Sequence, residues 1–165
     1  LFEAMHTGHS VFATVHADSA AETISRLVNP PLNVPPNLLK AVNLNVVMFR
    51  DRKKGIRRVI QVAEYEAAAE SANSNILYRW VPDTDQVVAH SVSSRFFEDI
   101  SRNTGMSESQ IKAELREKTN ILSWLVKNNM RSLQEFGKAM NLYYRDKELL
   151  LNLIKKNDKS KVLGV

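Results

Sequence analysis

Apolar and polar positions alternate in three ways along this chain, and each pattern predicts a different element. Val11 to His16 is a short, almost continuous apolar run between Gly8 and Asp18, the pattern of a buried strand. Ser19 and Glu22 then offer a capping box, and Ile24, Leu27 and Val28 follow at helical spacing. A strand leading directly into a helix is the grammar of α/β folds. Pro30-Pro31 stops the helix, Pro35-Pro36 restricts the stretch after it, and residues 37–43 read as a short helix. Two Val- and Ile-rich runs, Asn43 to Asp51 and Ile56 to Glu66, flank the turn Arg52-Lys53-Lys54-Gly55, whose glycine accepts positive φ. A second hairpin is expected from Ile76 to Val81 and Gln86 to Val92 around Pro82-Asp83-Thr84-Asp85.

The period changes after about residue 93. Phe96, Phe97 and Ile100 predict a helix ended by Gly105. Ser107 with Gln110 is a second capping box, before the apolar stripe Ile111, Leu115, Leu122, Leu125 and Val126. Ser132 with Glu135 is a third, before Leu133, Phe136, Met140 and Tyr144, and Asp146 opens a last helix carrying Leu149, Leu150, Leu153 and Ile154. The organisation read from this is an α/β region over 1–92, an all-helical region over 93–157 and a polar, flexible tail over 158–165. Leu1 to Met5 reads as helix with no capping residue before it, so the chain is expected to begin inside a structural element of something longer.

Composition narrows the chemistry. The 165 residues include no cysteine, which excludes disulfides and thiolate metal sites. The sequence has neither a run of apolar residues long enough to span a membrane nor a signal peptide. The net charge of +5 permits an acidic partner, anionic lipid or nucleic acid without requiring any of them. Much of it is local, in Arg50, Arg52, Lys53, Lys54, Arg57 and Arg58. That cluster reads either as a solvated hairpin tip or as a docking site for an acidic partner loop or lipid. Nucleic-acid readers interleave aromatic residues for stacking, and only Phe49 is close by, so no nucleic acid is expected.

Three of the four histidines fall between positions 6 and 16. His9 and His16 are seven apart, so a regular strand would point them to opposite faces. His9 is therefore expected in the turn at Gly8. The motif Thr7-Gly8-His9, followed by Thr14-Val15-His16-Ala17-Asp18-Ser19, resembles the His box of the hexameric ATPases that drive type II secretion, type IV pilus assembly and the archaeal flagellum. Leu1 to Met5 looks like the helix after that family's acidic Walker B strand. The stretch Arg26-Leu27-Val28-Asn29-Pro30-Pro31-Leu32-Asn33-Val34-Pro35 resembles the archaeal branch, as do the hairpins and the helices around Tyr143-Tyr144-Arg145-Asp146.

The resemblance implies an α/β fold: the C-terminal portion of a RecA-like P-loop motor domain with β-hairpins, followed by an all-helical segment. It implies a homohexamer, cytoplasmic and peripheral at the membrane, working on a polytopic membrane platform protein. ATP and Mg²⁺ would bind in the complete parent, and none is expected for this chain alone. His9 and His16, with Thr7, Gly8 and Thr14, would sense or position the terminal phosphate, and Arg26 is a candidate subunit or phosphate contact. The sequence contains no Gly-x-x-x-x-Gly-Lys-[Ser/Thr], so it lacks a phosphate cradle and should not hydrolyse ATP by itself. Two rivals stand beside this reading. One is an independent basic binding module, for nucleic acid or an acidic partner, without catalysis. The other is a metal-dependent hydrolase using His6, His9, His16 and Asp18, whose spacing fits no familiar zinc signature; no metal is therefore assigned. With the family's upstream strands absent, an unpaired strand edge is expected to drive association between copies.

Overall fold

A computed structural model describes residues 1–164. The chain forms two compact units, Leu1–Phe96 and Phe97–Val165. The first is mixed α/β and is called the sheet unit below. It contains α1 (Phe2–His6), α2 (Ala20–Val28), a 3₁₀ helix (Pro36–Ala41) and four strands: β1 (Asn45–Asp51), β2 (Ile56–Ala67), β3 (Ala72–Val81) and β4 (Gln86–Ala89). The strands form one antiparallel meander in the order β1-β2-β3-β4. Irregularities at Val47/Met48 and Val62/Ala63 interrupt the β1–β2 and β2–β3 pairings.

One face of the sheet is covered. Ala20, Ile24, Leu39, Val47, Ala63 and Tyr65 form its buried core. The Gln61 side chain reaches from β2 to accept the Ala20 backbone N–H at 2.9 Å, so the sheet satisfies one of the orphan donors of α2. Ser19 caps the same helix by accepting from Glu22 N–H at 3.0 Å. The reciprocal half of the box differs from expectation: the Glu22 carboxylate accepts from the Asp18 backbone rather than from Ser19. On the other face, register places Val46, Val62, Tyr78 and Ala89 in one transverse row across all four strands.

Residues 11–16 are not a strand. They run as irregular chain, with Phe12 98% exposed. A strand exists only where a neighbour supplies partners for its N–H and C=O groups. The four strands of this sheet pair among themselves, and no described residue pairs with 11–16. The second hairpin is also redistributed, since β3 starts earlier than expected, at Ala72, and β4 ends earlier, at Ala89.

The helical unit contains α3 (Phe96–Thr104, which begins at the unit boundary), α4 (Glu108–Lys127), α5 (Leu133–Arg145), α6 (Lys147–Lys155) and α7 (Lys159–Leu163). Its core is Ile121, Leu125, Met130, Ala139, Tyr143, Leu150, Leu153 and Val162. Both expected capping boxes are formed, at Ser107 with Gln110 and at Ser132 with Glu135. Replacing Ser107 by Ala is expected to destabilise the helical unit by about 1 kcal/mol, read from urea denaturation followed by circular dichroism. The stretch expected as a flexible tail instead carries α7. Asp158 caps it by accepting from Lys161 N–H at 3.1 Å, and Val162 is buried in the core. Lys138 Nζ also donates to the Leu163 carbonyl at 2.8 Å, and Trp124 Nε1 donates to Asn157 Oδ1 at 2.8 Å.

Candidate functional site

The Thr7-Gly8-His9 motif is held by the end of α1. Helix α1 leaves its last carbonyls open, and the chain closes on them through a Schellman motif. Gly8 N–H donates to the Met5 carbonyl at 3.1 Å, and His9 N–H donates to the Ala4 carbonyl at 3.0 Å. The turn requires positive φ at its middle residue, and Gly8 supplies +86°. The glycine between Thr7 and His9 is thus a backbone requirement, and its result is a histidine whose main chain is fixed.

The side chain is oriented as well. The Thr7 hydroxyl lies 3.0 Å from the Ala4 carbonyl and 3.2 Å from the Glu3 carbonyl, and His9 Nδ1 lies 3.0 Å from the same hydroxyl oxygen. A hydroxyl has one proton to donate, and these carbonyls can only accept it. Whichever of the two groups donates, the contact with Thr7 engages Nδ1 of His9 and leaves Nε2 open to a ligand. Both residues are solvent-exposed.

The remaining predicted residues are dispersed. His6 is exposed at the end of α1, while Thr14 and His16 are exposed on the irregular 11–16 segment, and none of the three makes a side-chain hydrogen bond among the described residues. The structure joins Thr7 and His9, and no hydrogen bond among the described residues links His16 to them. Among the described residues no three His, Asp or Glu side chains converge on one point. Arg26 pairs with Glu22 one turn back, at 2.6 Å. The Asp18 backbone N–H, and then Arg26, hold the Glu22 carboxyl below the usual glutamate value.

The basic cluster separates into two groups. Arg58 makes a bidentate pair with Asp85, 2.6 Å from each donor nitrogen to its oxygen. Trp80 Nε1 also donates to Asp85, at 2.9 Å, and Trp80 stacks on Phe49 with centroids 6.0 Å apart. This brace holds the Asp85 carboxyl down to about 2, chiefly through Arg58. Arg58 is thus occupied in tying β2 to the β3–β4 turn. The other five, Arg50, Arg52, Lys53, Lys54 and Arg57, make no ion pair among the described residues. Arg50 and Arg57 sit directly opposite each other across the β1–β2 ladder, an arrangement that costs stability when nothing neutralises it. Asp51 accepts the backbone N–H groups of Lys53 and Lys54 at 2.8 and 3.1 Å and so shapes the tip.

Sequence reading passed over Glu64, which is 2% exposed and makes no ion pair with Lys or Arg among the described residues. Its carboxylate accepts from Asn75 Nδ2 (2.9 Å), Ser93 Oγ (2.6 Å), Ser94 N–H (2.6 Å) and Ser94 Oγ (2.9 Å). Burial alone would raise its pKa; the donors from Ser93, Ser94 and Asn75 outweigh burial and hold it below the usual value. The available signal was a charged residue inside an apolar strand run, Val62-Ala63-Glu64-Tyr65.

Comparison with known proteins places this geometry in a family context. Residues 1–51 match the family model of the type II/IV secretion system proteins, so the match covers the Schellman turn, His9, α2 and β1. It supports that superfamily for this part of the chain. Over most of its length the chain is also similar to uncharacterized proteins of Methanocaldococcus jannaschii. One is 30% identical over 148 residues, covering 87% of this chain and 54% of that protein. Another is 29% identical over 147 residues, covering 86% of this chain and 20% of its own length. A third is 31% identical over 135 residues, 76% of this chain and 24% of that protein. The chain therefore spans about half the length of one relative and a quarter or less of the other two. No helix among the described residues is long and apolar enough to cross a membrane.

Proposed function

We propose that this chain is the C-terminal portion of a hexameric secretion, pilus or archaellum motor ATPase of the archaeal branch, with His9 as its phosphate-facing residue. The observation that carries this reading is the turn at the end of α1, where backbone and Thr7 together fix His9 and leave Nε2 open, within the residues that match the secretion family. When protonated, that nitrogen donates to an anionic oxygen. The residues present fit the edge of a phosphate site and not its cradle. One open imidazole is a single donor, and the loop that would wrap the phosphates has no counterpart in this sequence. ATP and Mg²⁺ belong, in this reading, to the complete RecA-like parent, where residues 11–16 would gain a pairing strand. The bound Mg²⁺ would supply charge neutralisation at the transferring phosphate. What this chain contributes is an oriented donor, subunit contacts and a basic hairpin tip. The tip, with Arg50 opposed to Arg57, would dock on an acidic stretch of the membrane platform protein.

The test is ATP turnover by this chain beside a version extended upstream until the phosphate loop is present. The chain alone is expected to be inactive and the extended protein active. His9→Ala in the extended protein is expected to lower kcat by about 10- to 100-fold, the scale of losing one positioned donor. Unchanged turnover in His9→Ala would reject the assignment.

A further inference from the structure

The helical unit carries an apolar concavity that its own fold does not fill. Helix α4 ends in a second Schellman motif: Asn129, at φ +57°, donates to the Val126 carbonyl at 3.0 Å, and Met130 N–H donates to the Leu125 carbonyl at 2.9 Å. The turn directs Met130 onto Leu125, and both are buried. Ser132 then starts α5 at once. The result is an open corner of about 560 Å³, with Leu125 and Met130 as its floor and Leu122, Val126, Leu133 and Phe136 as its exposed rim. Leu133 is 86% exposed at the first position of a helix, where any residue would serve the backbone.

On α4 the apolar stripe continues toward the N-terminus through Leu115, also exposed. Its solvent side carries Arg116 and Lys127, which are eleven positions apart and so lie on the same side of the helix three turns apart. Asn120 and Ser123 lie between them, and Arg131 lines the concavity itself. None of these three cations makes an ion pair among the described residues, whereas Glu108 and Glu114 elsewhere on α4 are paired to lysines one turn on. The Glu135 carboxylate beside the corner is taken up by the backbone N–H groups of Arg131 and Ser132 and by the Ser132 hydroxyl.

We infer that this corner is the docking site for an acidic amphipathic helix of a partner protein, one presenting apolar residues at i, i+3 or i+4, and i+7 with Glu or Asp alongside. Charge chooses this occupant over a second copy. A two-fold pairing would set the Arg116–Lys127 edges of both copies around the same seam, like charge against like. Nothing here draws on the phosphate-site reading, and failure of either leaves the other standing.

The probes are two synthetic fluorescein-labelled helical peptides of about 18 residues. They share Leu and Phe at those positions and differ only in carrying Glu or Lys on the flanks. Each is titrated with the full 165-residue chain and followed by anisotropy. The Glu peptide is expected to bind saturably and at least about tenfold more tightly than the Lys peptide. Leu133→Ser is expected to weaken binding about tenfold with an unchanged circular dichroism spectrum, because that side chain is almost wholly in water. Arg131→Glu is expected to remove or reverse the preference between peptides. Equal binding of the two peptides, or no saturable binding, would overturn the inference. So would self-association in sedimentation velocity that Leu133→Ser abolishes, since that assigns the corner to a second copy.

Discussion

Replacing Glu64 by Ala is expected to destabilise the sheet unit by about 3 kcal/mol, measured by urea denaturation. The side chain is the hub of four hydrogen bonds from Asn75, Ser93 and Ser94. Its removal leaves several donors at once without the acceptor they share, around a carboxylate that is itself 2% exposed. It also frees the segment that leaves the sheet, because Ser93 Oγ donates to Glu64 while accepting from the N–H groups of Arg95 (3.2 Å) and Phe96 (2.8 Å). The carboxylate, the serine and the backbone of Arg95 and Phe96 thus form one chain of bonds. Glu64→Gln keeps the volume but turns one oxygen into an amide donor facing other donors, so it should lose part of the same stability, about 1–2 kcal/mol. The pH dependence has a definite sign. The folded pKa lies below the ordinary value of 4.5, so the contribution is fully present above about that pH and is lost as pH falls through the folded value. The natural protein should therefore lose stability more steeply than Glu64→Gln on acidification below pH 4.5. Parallel acid profiles for the two would mean that the clamp is not formed in solution.

What the sequence disclosed follows how local each determinant is. Gly55 and Gly105 take positive φ where turn chemistry required it, and Ser107 and Ser132 cap their helices because a box closes within four residues. The Thr7-Gly8-His9 turn was legible for the same reason. Its geometry needs only the end of α1 and one glycine. The apolar run 11–16 was misread because a strand is defined by a neighbour far away in sequence, and periodicity says nothing about whether one is present. Glu64 was overlooked because its partners lie 11 to 30 residues away. In α4 the spacing named the apolar residues without saying which would be covered. Of those named, Ile111 and Leu125 are buried, while Leu115, Leu122 and Val126 share a neighbouring strip that stays open. The lysine-rich C-terminus hid a helix, since composition outweighed the Asp158 cap and the single apolar anchor at Val162.

That anchor rests on a core whose centre is Leu150, and Leu150→Ala is the substitution expected to damage the helical unit most. Leu150 is fully buried on α6, within the cluster that also holds Ala139 and Tyr143 from α5 and Val162 from α7. Truncation removes three carbons' worth of apolar contact from a site that three helices enclose, so collapse around the gap is restricted. A loss of about 3 kcal/mol is expected, within the usual range for a buried Leu→Ala change. Helix α7 should respond most visibly, because a segment of five residues has almost no helical stability of its own and depends on Val162 remaining packed. The measurement uses a Trp80→Phe background, so that Trp124 is the sole indole. Trp124 packs against this core and donates to Asn157 in the connection leading to α7, which makes its emission a local reporter. The unfolding midpoint in urea should fall with its slope unchanged, and amide exchange in 159–163 should rise before global unfolding. A loss below about 1 kcal/mol would show that α6 and α7 do not share the core described here.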